Sequence, residues 1–94
     1  MGKVIKNDFL LFKIMKNNLQ KSRFGFIVSK KVSKKASQRN KIKRRLRKIF
    51  MDNLKELKES FDVVVVALSG IEKKEFSQIE EAVSRFFKKI KIIK

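Results

Sequence analysis

From Arg39 onward the apolar residues Ile42, Leu46, Ile49, Phe50, Leu54 and Leu57 recur at offsets of 4, 3, 1, 4 and 3. That spacing is one face of an α-helix. The positions between them hold Arg39, Lys41, Lys43, Arg44, Arg45, Arg47 and Lys48. Such a helix must bury a stripe against a core while the rest of its circumference carries cations. Asp52, Glu56 and Glu59 restore ordinary surface chemistry toward its end.

The charge is unevenly placed along the chain. Residues 1–50 hold 17 Lys/Arg against one acid, Asp8, a net +16, whereas residues 51–94 hold 9 Lys/Arg against 8 acids, a net +1. Within Lys30–Lys48 there are 11 Lys/Arg and no acid. A run this dense repels itself, and binding to a polyanion relieves the repulsion and releases condensed counterions. The asymmetry implies a dedicated anionic partner for one face rather than a general solubility habit.

The rest of the chain supplies the framework for this helix. Val4 to Met15 is rich in apolar and aromatic residues and reads as one extended segment, and 16–22 as a polar turn. Arg23–Ser29 reads as a second strand, so the two are expected to pair as an antiparallel hairpin. Lys30 to Gln38 reads as a basic loop before the helix. The β-branched, nearly uncharged run Phe61 to Leu68 has the pattern of a strand covered on both faces. A last helix from about Lys74 places Phe76, Ile79, Ala82, Val83, Phe86, Phe87 and Ile90 on one side. Its acids (Glu75, Glu80, Glu81) fall near the start and Lys88, Lys89 and Lys91 near the end, as the helix dipole favours. The order ββαβα predicts an α+β fold, a small mostly antiparallel sheet with helices on one face. At 94 residues it forms a single domain over 1–94.

Absences narrow the chemistry. The chain has no Cys and no His, which excludes disulfides, thiolate metal sites, a Cys nucleophile and unaided acid–base catalysis near neutral pH. Lys or Glu would need deep burial to serve instead. No catalytic residue and no metal site is therefore expected on the chain. No apolar run approaches the roughly 18 residues needed to span a bilayer, and Met1–Lys13 does not have the pattern of a signal peptide. The expected location is the cytoplasm, with no membrane partner.

Ser29-Lys30-Lys31, seven residues, and then Arg39-Asn40-Lys41-Ile42-Lys43-Arg44-Arg45-Leu46-Arg47 resembles the signature of the bacterial ribonuclease P protein subunit. In that pattern Ala36 precedes a short spacer, then Arg-Asn-Arg, an aliphatic residue, Lys-Arg, two residues and Arg. The strand before, the Phe-Asp-Val strand after and the last helix fall in the family's order, so the resemblance covers most of the chain. It implies a single RNA-binding domain whose motif helix contacts the catalytic RNA through Lys30, Lys31, Arg39, Asn40, Lys41, Lys43, Arg44 and Arg47. Helical spacing stacks Arg39, Lys43 and Arg47 into one stripe, with Arg44 and Lys48 beside it. Asn40 has a second reading as a helix-start residue satisfying free amides. Lys41 stands where the family usually has Arg, which keeps the charge and loses the fork.

The resemblance further implies binding of the 5′ leader of precursor tRNA in a cleft, with Phe12, Leu10 and Ile14 facing it. Magnesium would be held mainly by the RNA. Family members usually carry a helix before the first strand, where this sequence begins almost at once with a strand. Alternation would send Phe9 and Leu11 to one face and Leu10, Phe12 and Ile14 to the other. The second set then needs a cover: leader RNA, a second copy of the chain, or the tail Ile90-Lys91-Ile92-Ile93-Lys94 folding back. The tail is the expected cover, with the leader sharing what stays open, and self-association through the open sheet face is the remaining partner reading. Alternatives to a ribozyme subunit are a non-catalytic, ribosomal-type nucleic-acid-binding protein and an interfacial membrane binder, although in so small a chain the apolar stripes are needed as core.

Overall fold

The computed structural model describes residues 2–53 and 60–93, with side chains as far as Ile90. Leu54 and Leu57 of the expected stripe lie outside the described residues, as do Lys55, Glu56, Lys58, Glu59 and Lys94. The elements run β1 (Lys3–Lys6), β2 (Leu10–Lys16), β3 (Arg23–Val28), α1 (Ala36–Asn53), β4 (Phe61–Ala67) and α2 (Phe76–Ile93). The α+β class and the helices on one face are as expected, but the order is βββαβα.

The extra strand comes from Asn7. Its side-chain carbonyl accepts from the backbone N–H of Phe9 (2.9 Å) and Leu10 (2.6 Å). This is a local turn that asparagine forms without help from glycine or proline. It folds the expected single segment into a β1–β2 hairpin, with Lys3 opposite Ile14 and Lys6 opposite Leu11.

The sheet order is β1-β2-β4-β3, which corrects the expected β2–β3 hairpin. β4 lies between them, antiparallel to β2 from Leu10↔Ala67 to Lys16↔Phe61, and parallel to β3 from Arg23↔Asp62 to Val28↔Ala67. Both ends of the 17–22 connection are tied to the start of β4. Asn17 N–H donates to the Ser60 carbonyl (3.1 Å), and Phe61 N–H donates to the Ser22 hydroxyl (3.0 Å). The connection therefore straddles β4 instead of closing a tight turn, and α1 makes the crossover from β3 to its parallel neighbour.

Alternate residues of the two middle strands face the helices and are buried: Leu10, Phe12 and Ile14 on β2, and Phe61, Val63, Val65 and Ala67 on β4. α1 adds Ile42, Leu46, Ile49 and Phe50, and α2 adds Ile79, Val83, Phe86, Phe87 and Ile90. Phe50 is the hub, with ring centroids 5.2–6.2 Å from those of Phe12, Phe24, Phe26, Phe86 and Phe87. β4 is not covered on both faces. Val64 and Val66 are only half-buried, shielded by cross-strand neighbours such as Leu11 and Ile27. Its unbroken valine run reflects pairing along both edges of the strand.

On the open face Arg23 and Asp62, partners in the β3–β4 register, form a two-point ion pair (2.8 and 2.6 Å), and Asn17 donates to the same carboxylate (2.8 Å). The Arg23 hydrogen bond, with help from Asn17, holds the Asp62 carboxyl down at about 2. Its contribution to stability is present above the ordinary carboxylate range and is lost as pH falls toward about 2. NMR titration should find Asp62 ionised at pH 3, and Arg23→Met should bring its midpoint back up.

After β4, Gly70 takes a positive φ of 106°, which favours glycine, and its N–H donates to the Glu72 carboxylate (2.6 Å). The turn leads through a short 3-10 segment, Ile71–Lys73, to the start of α2. There Glu75 N–H donates to the Gln78 side chain (2.9 Å), one half of a capping box.

Candidate nucleic-acid interface

α1 begins three residues before Arg39, at Ala36. Asn40 therefore lies in the second turn, is exposed, and does not cap the helix start. With Ser37, Lys43, Arg44 and Arg47 it lines a shallow groove of about 580 Å³ along one flank of α1. Three cations and one amide converge there with no acid among the lining residues. Because Ile42, Leu46, Ile49 and Phe50 are locked in the core, the helix that carries these side chains cannot roll. Long cationic side chains on a fixed backbone lose less freedom when they meet phosphate, and Arg supplies a fork matched to its oxygens.

The other expected contacts separate. Arg39 does not continue the stripe of Lys43 and Arg47. Its guanidinium turns back to donate from Nη1 to the carbonyls of Ser33 (2.9 Å) and Lys34 (3.0 Å), clasping the basic loop against the helix. Lys41 sits on the opposite flank. Lys30 and Lys31 are exposed in the turn closed by the Val32 N–H to Ser29 carbonyl bond (3.0 Å). That turn is tethered to the end of β4 by the Ser69 hydroxyl, which donates to the Lys31 carbonyl (3.1 Å). Arg39→Gln should therefore loosen 30–35, visible as faster amide exchange there, with a modest loss of stability on the order of 1 kcal/mol.

Leu10, Phe12 and Ile14 share a face, as alternation requires, but that face is core, with Phe12 only 1% exposed. Its ring lies stacked on Phe86 at 4.1 Å and 12°, so a nucleotide base has no ring face to stack on. The expectation that these three contact a leader directly is corrected for that reason. Phe12 is covered by Phe86 of α2 and Phe50 of α1, and α2 stays helical through Ile93 in place of the expected folded-back tail.

Beside them lies a groove of about 460 Å³ between the β1–β2 turn and α2. Its walls include the cations Lys6, Arg85 and Lys89, the acids Asp8 and Glu81, and Phe9, and Phe12 and Phe86 underlie it. Alternation puts Phe9 on a face with Leu11. It lies instead in the turn made by Asn7 and joins the groove, with the Lys74 ammonium over its ring at 5.5 Å. The Asn7-Asp8 pair is the sequence signal for this break.

The flank of α1 thus brings three cations and an amide together on a backbone that the core holds fixed, a geometry suited to phosphate. The sequence profile of the Ribonuclease P family matches residues 1–91. The ribonuclease P protein component of Fusobacterium nucleatum is 38% identical over 99% of this chain and 86% of that protein. The one from Thermotoga maritima is 33% identical over 95% and 79%. A structure of the Thermotoga maritima RNase P protein, in complex with 1-(4-fluorophenyl)-2-thiourea, superposes with a TM-score of 0.83 at 32% identity, covering 93% of this chain and 84% of that one. The Staphylococcus aureus RNase P protein gives 0.84 at 28% identity, covering 99% and 84%. The chain belongs to the Ribonuclease P family.

Proposed function

We propose that this chain is the protein subunit of a ribonuclease P. It binds the catalytic RNA through Asn40, Lys43, Arg44 and Arg47 and assists magnesium-dependent removal of the 5′ leader from precursor tRNA. The observation that carries the reading is the acid-free flank of α1, held rigid by its buried stripe in a chain matched to the family over 1–91. The leader's place in this reading is the groove beside Phe9, where Lys6, Arg85 and Lys89 supply charge. Arg85 is already engaged with Glu81 (2.6 Å), so Lys6 and Lys89 are the freer phosphate contacts.

In this reading magnesium is held mainly by the RNA. Among the described residues no three His, Cys, Asp or Glu side chains come together to hold a metal. The chain's own work is to position RNA and neutralise phosphate. No helix among the described residues is long and apolar enough to cross a membrane.

Reconstitution is the test. Added to a bacterial ribonuclease P RNA at low magnesium, the protein should restore cleavage of precursor tRNA, and the repurified protein without RNA should give none. Binding to the RNA without restored cleavage would favour a ribosomal-type structural protein. Turnover by RNA-free protein would place the chemistry on the chain.

A further inference from the structure

The second flank of α1 carries its own cationic groove. At about 100° per residue, Arg45 lies roughly 160° around the helix from Arg47, and Lys41 is one turn from Arg45 on the same side. With Lys35 from the loop and Lys74 from the lead-in to α2, they line a groove of about 550 Å³. Its floor is apolar and buried, formed by Ile42, Ile71 and Ile79. The groove's single acid, Glu72, is turned to the Gly70 N–H (2.6 Å). Among the described residues none of Lys35, Lys41 and Arg45 has an ion-pair partner.

Two features say what the groove takes and how far it runs. Farther along the same flank the sign reverses, where Asp52, Glu80 and Glu81 line the next depression. A polyanion is thus confined to the N-terminal half of α1, where the first groove also starts. Ser37 and Arg44 line both grooves, so the two flanks meet across an exposed cationic crest with no acidic barrier between them. Lys74 is held in place by the Phe9 ring, which lowers the entropy cost of a fixed phosphate contact.

We infer that this groove is a second phosphate-backbone site for the RNA already held on the first flank. The RNA straddles α1, with one segment on Asn40, Lys43 and Arg47 and another on Lys35, Lys41, Arg45 and Lys74. The inference rests on the proposed RNA-binding role, and it extends the interface to Arg45, at a variable position of the motif, and to Lys74, outside the motif. Two phosphate contacts amount to about 1.4–1.8 in the slope of log affinity against log salt, through the counterions they release.

The test measures that slope for ribonuclease P RNA alone, without substrate, with wild type, Arg45→Gln/Lys74→Gln and Lys43→Gln/Arg47→Gln, each checked for unchanged melting. The Arg45/Lys74 variant should flatten the slope by about 1.4–1.8. It should bind at least tenfold more weakly at moderate salt, and Arg45→Lys/Lys74→Arg should restore both. In the assembled enzyme its preference for leader-bearing over mature tRNA should match wild type. An unchanged slope for Arg45/Lys74 beside a flattened one for Lys43/Arg47 would overturn the second site and leave the function standing. Unchanged slopes for both would instead remove the RNA-binding reading itself. A loss seen only with leader-bearing substrate would assign the groove to the substrate and overturn the inference.

Discussion

Phe12→Ala should cost about 3–5 kcal/mol of folding stability, the largest loss expected from a single substitution in β2. The ring is 1% exposed, stacked on Phe86 and tilted against Phe50, so truncation leaves a cavity between the sheet and both helices. In so small a domain that is a large share of the total stability. Whatever folded protein remains should bind leader-bearing and mature RNA with equal proportional losses, because Phe12 acts through the fold. Thermal or urea unfolding measures the first effect, and paired binding titrations measure the second. A selective loss for leader-bearing RNA with unchanged stability would show that the ring reaches substrate.

The parts of this fold that are legible in the sequence are those fixed by local periodicity. Ile42, Leu46, Ile49 and Phe50 must share a face if 39–50 is helical, and burying that face leaves the cations outward. The same reasoning places the α2 residues from Ile79 to Ile90 in the core. Pairing between strands is not legible, because hydrogen-bond partners far apart in the chain leave no periodic trace. Ser22 and Asn17 tie the 17–22 connection to β4 through two bonds, and nothing in their spacing announces a strand between β2 and β3.

The site is legible in composition and less so in direction. Helical spacing groups Lys43 with Arg47 correctly. It also aligns Arg39 with them, but the Ser33 and Lys34 carbonyls offer that guanidinium a closer partner in the folded loop. Arg45 and Lys74 escape sequence reasoning because they come together only when the lead-in to α2 folds back against α1. Phe9 falls on the wrong face when alternation is carried through a turn.

Neutralising Lys43, Arg44 and Arg47 together should have the largest effect on RNA binding. Removal of one phosphate interaction flattens the log-affinity against log-salt slope by about 0.7–0.9, so the triple variant should flatten it by roughly 2–3. Affinity at moderate salt should fall by about two orders of magnitude or more. Melting should change little, since Arg44 and Arg47 are exposed and Lys43 is only half-buried. Lys13→Gln, on the open face of the sheet away from both helices, is the control and should leave the slope nearly unchanged. An equal effect from Lys13→Gln would mean that net charge, and not the placement of α1, governs binding.

The absence of cysteine allows the central claim to be tested by position. A single cysteine introduced at Ser37, in the groove beside Asn40 and Arg44, or at Lys13, on the opposite side of the sheet, can carry a tethered hydroxyl-radical source. With ribonuclease P RNA bound, the probe at 37 should cut a compact set of nucleotides, and the probe at 13 should cut weakly or not at all. Strong, localised cutting from 13 with none from 37 would contradict the placement of the RNA on α1.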